Sequence, residues 1–292
     1  MSTRRILIIG ANGQLGSDLL KIFSTSSEEV IPLTHRDIEI CDHKQTRRIL
    51  TSYSPDVVIN TAAYHRTDEC EENIQKAFQV NTFAVRNLAI VCKDVGSILI
   101  HFSTDYVFGG DKRVPYVEED LPNPLNVYGA SKLVGEYFVR NIWAKHFIIR
   151  TSGLYGVAGS SGKGGNFVEL MLKLAKEQRP IKVVNDQTLS PTYTRELAAK
   201  VAELIRTEEY GLYHITNNGE CSWYEFAKAI FELCGLSPEL SPVTSKEFRA
   251  KALRPKYSVL DNLKLRKLNL DNMRHWRDAL KEYLSEKGHL EP

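Results

Sequence analysis

Tyr128 and Lys132, within Asn126-Val127-Tyr128-Gly129-Ala130-Ser131-Lys132, stand four residues apart at what reads as the start of a helix. That spacing puts both side chains on one helical face. An ammonium beside a phenol stabilises the phenolate, so the pair predicts a tyrosine whose pKa is drawn down from its ordinary value of about 10 and which can donate a proton at neutral pH. The same Tyr-x-x-x-Lys spacing recurs at Tyr224/Lys228 and Tyr283/Lys287. The first copy differs in its neighbourhood. It follows the apolar run Ile98-Leu99-Ile100-His101-Phe102, a buried strand that delivers Ser103-Thr104-Asp105 at its carboxyl end, where open α/β sheets bind ligands. The other two pairs have no such strand and read as helix-surface residues.

A second chemical feature lies at the start. Ile6-Leu7-Ile8-Ile9 is a continuous apolar run of the kind buried on both faces of a parallel sheet, and it runs into Gly10-Ala11-Asn12-Gly13-Gln14-Leu15-Gly16. Helical apolar spacing follows at Leu15, Leu19, Leu20 and Phe23. Strand, glycine-rich turn and helix in that order form a phosphate site, because glycines admit a pyrophosphate to the backbone and the helix start offers free N–H groups. The next strand, Val30 to Leu33, ends in Thr34-His35-Arg36, where a carboxylate would hold the ribose of NAD. No carboxylate occupies those three positions, and Arg36 suits a 2′-phosphate. The expectation is NADPH, with NADH as the alternative.

The elements that position these groups alternate. A helix from about Lys44, a strand Asp56–Asn60 ending in Thr61-Ala62-Ala63, a long amphipathic segment from Asn73 to about Val95, the strand at 98–103 and a strand Phe147–Arg150 indicate a doubly wound parallel Rossmann sheet, α/β in class. Asn81, polar among apolar neighbours, is placed to bond adjacent backbone. Residues 105–126, rich in proline, aspartate and aromatics, read as an active-site loop. Past residue 154 the pattern changes. Gly159 to Gly165 reads as a lid or a linker, and helix Phe167–Glu177, strand Ile181–Val184, helix Arg195–Arg206 and strand Leu212–Ile215 follow, the last pair returning to the first domain. The division expected is a dinucleotide-binding domain over 1–154, with a return segment at about 193–216, and a smaller carboxyl-terminal substrate lobe over 155–292.

With 292 residues, 42% apolar and 25% charged, the chain can bury a full core. A net charge of +2 without a basic, aromatic-interleaved run argues against nucleic acid or an anionic membrane as partner. Five cysteines with no Cys-x-x-Cys pair argue against a disulfide framework and a zinc site. The basic start, Met1 to Arg5, precedes an apolar run too short for a signal peptide, so a soluble cytoplasmic protein is expected, with a small-molecule partner and a homodimer left open.

Gly-x-x-Gly-x-x-Gly, Ser103-Thr104-Asp105-Tyr106-Val107-Phe108 and Tyr128-x-x-x-Lys132 together resemble the extended short-chain dehydrogenase/reductases. Asn166-Phe167, Asn185-Asp186-Gln187, Ser190-Pro191-Thr192 and Arg254-Pro255 extend this to a resemblance, along nearly the whole chain, to the dTDP-4-dehydrorhamnose reductase family. The resemblance implies hydride delivery from NADPH or NADH to the C4 ketone of a nucleotide-linked 6-deoxy sugar, the last step in making dTDP-L-rhamnose. It implies that Thr104 bonds the ketone, Tyr128 protonates the forming alkoxide, and Lys132 holds the nicotinamide ribose and tunes Tyr128. On the cofactor side it implies Gly10, Asn12, Gly13, Gln14, Leu15 and Gly16 at the pyrophosphate, Arg36, Glu39 and Ile40 at the adenosine, and Ala62, Ala63, Tyr64, His65, Asn81 and Ser103 towards the nicotinamide. The substrate set is Thr104, Asp105, Tyr106, Tyr128, Gly153, Asn166, Phe167 and Arg254, with no metal. Glycine at position 153, where many of the family carry tryptophan after Arg-Thr-Ser, predicts a wider pocket around the hexose unless Tyr155, Phe108 or Tyr106 fills it. Two alternatives stay open: another nucleotide-sugar reductase or epimerase, although Tyr106 replaces the carboxylate that dehydratases use, and a non-catalytic NADP-binding protein resembling the regulatory subunit of methionine adenosyltransferase.

Overall fold

The computed structural model describes residues 3–159 and 165–290. In chain order the first part comprises β1 (Arg5–Ile9), α1 (Gln14–Ser24), β2 (Glu29–Leu33), α2 (His43–Tyr53), β3 (Val57–Asn60), α3 (Thr67–Glu72), α4 (Ile74–Phe78), a π-helical stretch (Gln79–Ala84), α5 (Val85–Val95), β4 (Ile98–Thr104), α6 (Val127–Ile142) and β5 (His146–Thr151). The rest comprises β6 (Leu154–Tyr155), α7 (Phe167–Lys176), β7 (Ile181–Val184), β8 (Thr188–Leu189), β9 (Thr192–Tyr193), α8 (Thr194–Leu204), β10 (Gly211–His214), β11 (Cys221–Ser222), α9 (Trp223–Leu233), β12 (Leu240–Val243), α10 (Ser245–Phe248), α11 (Leu263–Lys267) and α12 (Trp276–Glu286).

Six strands form one parallel sheet in the order β10-β5-β4-β3-β1-β2. The inner strands β1, β3 and β4 carry continuous apolar runs because both faces of the sheet are covered there. Ile6 and Ile8 of β1 join one core with Leu19 and Phe23 of α1 and Leu197 and Val201 of α8, whereas Leu7 and Ile9 join a second with Leu50 of α2 and Leu88 of α5. The order reverses between β1 and β3, and their carboxyl ends open into the crevice where doubly wound sheets take ligands.

β10 pairs with β5 at the sheet edge, and α8 packs against α1, so the chain does come back to the sheet after β6 to β9. The remaining elements build a separate core from α7, α9 and α12 around Tyr155, Tyr193, Phe226 and Tyr283. Tyr283 is fully buried there, donating to Glu169 Oε1 at 2.6 Å and accepting from Asn166 Nδ2 at 3.0 Å, so the helix-surface expectation fails for it. Helical spacing reads the same on a face turned to solvent and a face turned to a second core. Among the described residues, no helix is long and apolar enough to cross a membrane.

The long amphipathic segment from Asn73 to about Val95 is three helical stretches, with the π stretch in the middle. Its wider turn is tied to α6: Thr82 Oγ1 donates to the Ser131 carbonyl at 2.7 Å, and Asn81 Nδ2 to Ser131 Oγ at 3.0 Å. Apolar periodicity alone does not distinguish this turn from an ordinary one. The expected lid or linker at Gly159 to Gly165 falls largely on residues 160–164, outside the described residues.

Candidate active site

One cleft of about 600 Å³ runs across the carboxyl ends of the sheet and under the second lobe. At its β1 end the Gly10 to Gly16 turn forms a cradle of bare backbone. Gly10 holds φ +81, with room for no Cβ beside Thr61 Oγ1, and a Cβ on Gly16 would lie 2.1 Å from the Gly10 carbonyl. Both contacts are filled by any other residue, so the turn is built to let a ligand meet main-chain N–H groups at the start of α1. Gly13 is the N-cap of α1 and carries no side-chain cap. Gln14 lines the cleft too, but its amide also bridges to the second lobe, donating to the Leu154 carbonyl and accepting the Gly156 N–H.

Every residue expected at the cofactor or substrate lines this cleft except Arg36, Asn81 and Arg254. Arg36 is exposed beyond the rim, where Thr34 and His35 line the wall instead. The neighbouring Asp37 is committed to Thr34, accepting its N–H at 2.8 Å and its hydroxyl at 2.7 Å, which holds the carboxyl below its usual range. Asn81 acts one layer back, accepting the Tyr64 N–H at 2.9 Å and donating to the Tyr64 carbonyl at 3.0 Å, and so fixes the Ala62 to His65 wall. Arg254 forms a two-point pair with Asp68 on α3 (2.8 and 3.2 Å) and lies against Tyr106. In this arrangement the guanidinium is a strut between the lobes rather than a charge turned into the cleft.

At the β4 end, Asn126 caps α6 by accepting the Gly129 N–H at 2.8 Å, which sets Tyr128 in the first turn and Lys132 one turn later. The Tyr128 phenol lies beside Thr104, whose hydroxyl favours the phenolate. Thr104 in turn accepts the Tyr106 N–H at 3.1 Å and donates to Asp105 Oδ1 at 3.0 Å, while Ser152 and Ser258 donate to Oδ2 at 2.9 and 2.6 Å. Asp105 is thus a buried carboxylate met by three hydroxyls and no cation. Burial pushes its pKa up to about 6 against the pull of those hydrogen bonds.

The expectation that Lys132 draws the Tyr128 pKa down is not met in this arrangement. Burial, and then the Asp105 charge, push the phenol up, with the neighbouring Thr104 hydroxyl opposing. Lys132 is turned the other way, its Nζ 3.4 Å from His101 Nε2. Its own pKa is lowered to about 8 by burial, against the stabilising charge of Glu136. Desolvation outweighs any pull from Lys132, whose Nζ is engaged with His101. Two of the fillers proposed for the hexose pocket are also elsewhere: Phe108 stacks on Tyr116 at 4.1 Å and Tyr155 sits in the second core. The 105–126 loop is therefore partly a packed unit of its own, built on Val107, Phe108 and Tyr116.

Gly153 does line the cleft, but it is not a gap. It stands at φ +53, and a Cβ there would meet Leu189 Cδ1 at 2.7 Å and the Pro191 Cα at 3.1 Å. Leu189, absent from the sequence-based site, fills the space, and Gln187, Thr188 and Trp223 of the second lobe line the cleft as well. Only the pairing of β8 with β11 and the seating of that lobe bring them here, which no local pattern shows. We expect Gly153→Trp to lower stability by about 1–3 kcal/mol, as overpacking a filled site does. Thermal unfolding of the variant checks this; an unchanged melting temperature would mean the wall opens freely.

Comparison with known proteins places the chain in a family. The family model described as the RmlD substrate binding domain matches residues 4–288. The spore coat polysaccharide biosynthesis protein SpsK of Bacillus subtilis is 42% identical over 97% of this chain and 98% of its own. The dTDP-4-keto-6-deoxy-D-glucose reductase of Streptomyces niveus is 37% identical over 95% and 96%. The crystal structure of dTDP-4-dehydrorhamnose reductase from Bacillus anthracis in complex with NADP superposes with a TM-score of 0.93, at 39% identity over 98% of this chain and all of that one. The chain belongs to the RmlD family, that of the dTDP-4-dehydrorhamnose reductases.

Proposed function

We propose that the protein reduces the C4 ketone of a nucleotide-linked 4-keto-6-deoxy sugar with NADPH, dTDP-4-dehydrorhamnose being the substrate and dTDP-L-rhamnose the product. The observation that carries this reading is the contact between Tyr128 and Thr104 in the same cleft as the Gly10 to Gly16 cradle. The cradle fits a dinucleotide pyrophosphate at Gly13, Gln14 and Leu15, with Glu39 and Ile40 on the adenosine side and Ala63, Tyr64 and His65 on the nicotinamide side. The cofactor, when bound, supplies the hydride.

The chain's own groups handle the charge that results. A ketone gaining hydride develops negative charge on oxygen, so donors aimed at that oxygen stabilise the transition state more than the ground state. Tyr128 gives the proton. Thr104 is the second donor, and its hydroxyl must rotate off Asp105 to act, a turn that protonating or displacing that carboxylate allows. Lys132, once released from His101 as an ammonium, is the charge on the same helical face that would stabilise the phenolate left behind.

Consumption of NADPH on adding dTDP-4-dehydrorhamnose tests the reading, and absence of turnover with cofactor bound would leave the non-catalytic alternative. The Streptomyces niveus relative gives the second sugar to assay, dTDP-4-keto-6-deoxy-D-glucose. Because Arg36 stands exposed outside the cleft lining, we expect Arg36→Ala to shift the NADPH-to-NADH ratio of kcat/KM by no more than about fivefold, the reach of one solvent-exposed ion pair of about 1 kcal/mol. A larger shift would put Arg36 on the 2′-phosphate.

A further inference from the structure

The hydrogen bonds behind Lys132 have a direction, and the backbone sets it. Asn60, at the end of β3, accepts the Ala62 N–H on Oδ1 at 3.1 Å. A backbone N–H can only donate, so the amide is oriented and its Nδ2, which can also only donate, faces His101 Nδ1 at 3.3 Å. His101 Nδ1 is therefore the acceptor, and the neutral ring carries its proton on Nε2. That Nε2–H points at Lys132 Nζ, 3.4 Å away. An ammonium there would set donor against donor, whereas an amine accepts. His101 is wholly buried and Lys132 is 2% exposed, so no water relieves the mismatch.

The other charged groups around α6 do not reverse this. On the helix itself Glu136 favours the ammonium, but both its oxygens are taken by Arg150 of β5 at 2.7 and 3.0 Å. Asp105 and Tyr106, in the turn after β4, are held by Thr104, Ser152 and Ser258 and by Arg254 respectively. On α3, Asp68 pairs with Arg254, Glu69 with Arg66 and Tyr64, and Glu71 accepts the Val127 N–H. Tyr128, one turn earlier, keeps its proton.

We propose that Asn60 and His101 are positioning residues that favour the uncharged amine of Lys132 while its Nζ rests on His101, so that at alkaline pH engaging the cofactor and Tyr128 takes up one proton. The step balances: the amine leaves the His101 Nε2–H, gains a proton from solvent and becomes the ammonium that a ribose hydroxyl and a phenolate call for. His101 stays neutral throughout. This rests on the reading that the cleft holds NADPH.

The sign follows. The cofactor-bound protein carries more protons than the free protein above the free lysine's pKa of about 8, so NADPH affinity falls as pH rises through that value and is flat well below it. Two measurements test the proposal. Nitrogen-15 spectra of histidine-labelled free protein, with His101 assigned through its contacts to Asn60 and Lys132, should show Nε2 protonated and Nδ1 bare. Calorimetry of NADPH binding in buffers of different ionisation enthalpy should show most of a proton taken up per site at pH 8.5 and almost none at pH 6.5. Asn60→Asp, whose carboxylate would accept from Nδ1–H and turn the ring's other nitrogen into an acceptor of the ammonium, should abolish the uptake at pH 8.5. A proton on Nδ1 in the free wild type, or binding at pH 8.5 without uptake, overturns the proposal. If NADPH does not bind at all, the functional reading fails, while the ring's tautomer still decides whether Lys132 faces a donor.

Discussion

Tyr128→Phe is expected to lower kcat by at least about 100-fold, the lower range for losing a general acid, while NADPH still binds. The phenol ring stays, so its edge-on contact with Tyr106, at 6.1 Å between centroids, is kept and the wall does not move. What goes is the one hydroxyl that both reaches Thr104 and can hand on a proton. Because burial and Asp105 hold that proton on the oxygen, Tyr128 remains a filled donor through neutral pH. Steady-state turnover together with fluorescence titration of NADPH checks the result. Turnover within a few-fold of wild type would remove Tyr128 from the proton's path; loss of NADPH binding would mean the hydroxyl serves the cofactor more than the ketone.

The parts of this site legible in the sequence are those built from neighbours in the chain. Gly10, Gly13 and Gly16 announce themselves because strand, turn and helix are contiguous and only glycine survives the contacts at Thr61 and the Gly10 carbonyl. The inner strands β1, β3 and β4 read as continuous apolar runs because the sheet is covered on both faces there. Tyr128 and Lys132 read as a pair because one helix carries both. What was not legible depends on contacts between distant segments. Lys132 turns to His101, thirty-one residues earlier on a neighbouring strand, and no spacing rule couples a helix to a particular strand residue. Arg254 is claimed by Asp68, 186 residues earlier in the chain, and Leu189 occupies the space that a glycine at 153 seemed to leave. The electrostatic expectation for Tyr128 failed for the same reason: charge in sequence says nothing of desolvation, which here exceeds every pairing term.

Arg150→Met is expected to destabilise the protein by about 3–5 kcal/mol, the range for removing one partner of a buried ion pair. Arg150 on β5 and Glu136 on α6 are 2% and 0% exposed and meet at two points, and the guanidinium also lies over the Phe108 ring at 5.1 Å. Methionine fills the stem's volume but leaves the Glu136 carboxylate buried without its cation. The penalty is therefore mostly the stranded charge rather than lost packing. Replacing both residues separates these terms, because an apolar pair of similar volume in such a position is commonly neutral or better. Arg150→Met with Glu136→Leu should recover most of the lost stability in urea and thermal unfolding. It should not recover function to the same degree, since Glu136 is the charge that supports the ammonium of Lys132 one turn away. The double variant is thus expected to fold nearly as well as wild type yet to lose NADPH affinity and turnover at a lower pH than wild type does. Equal instability in the single and double variants would assign the effect to packing around Phe108, and an unshifted pH profile would show that Glu136 acts on the fold alone.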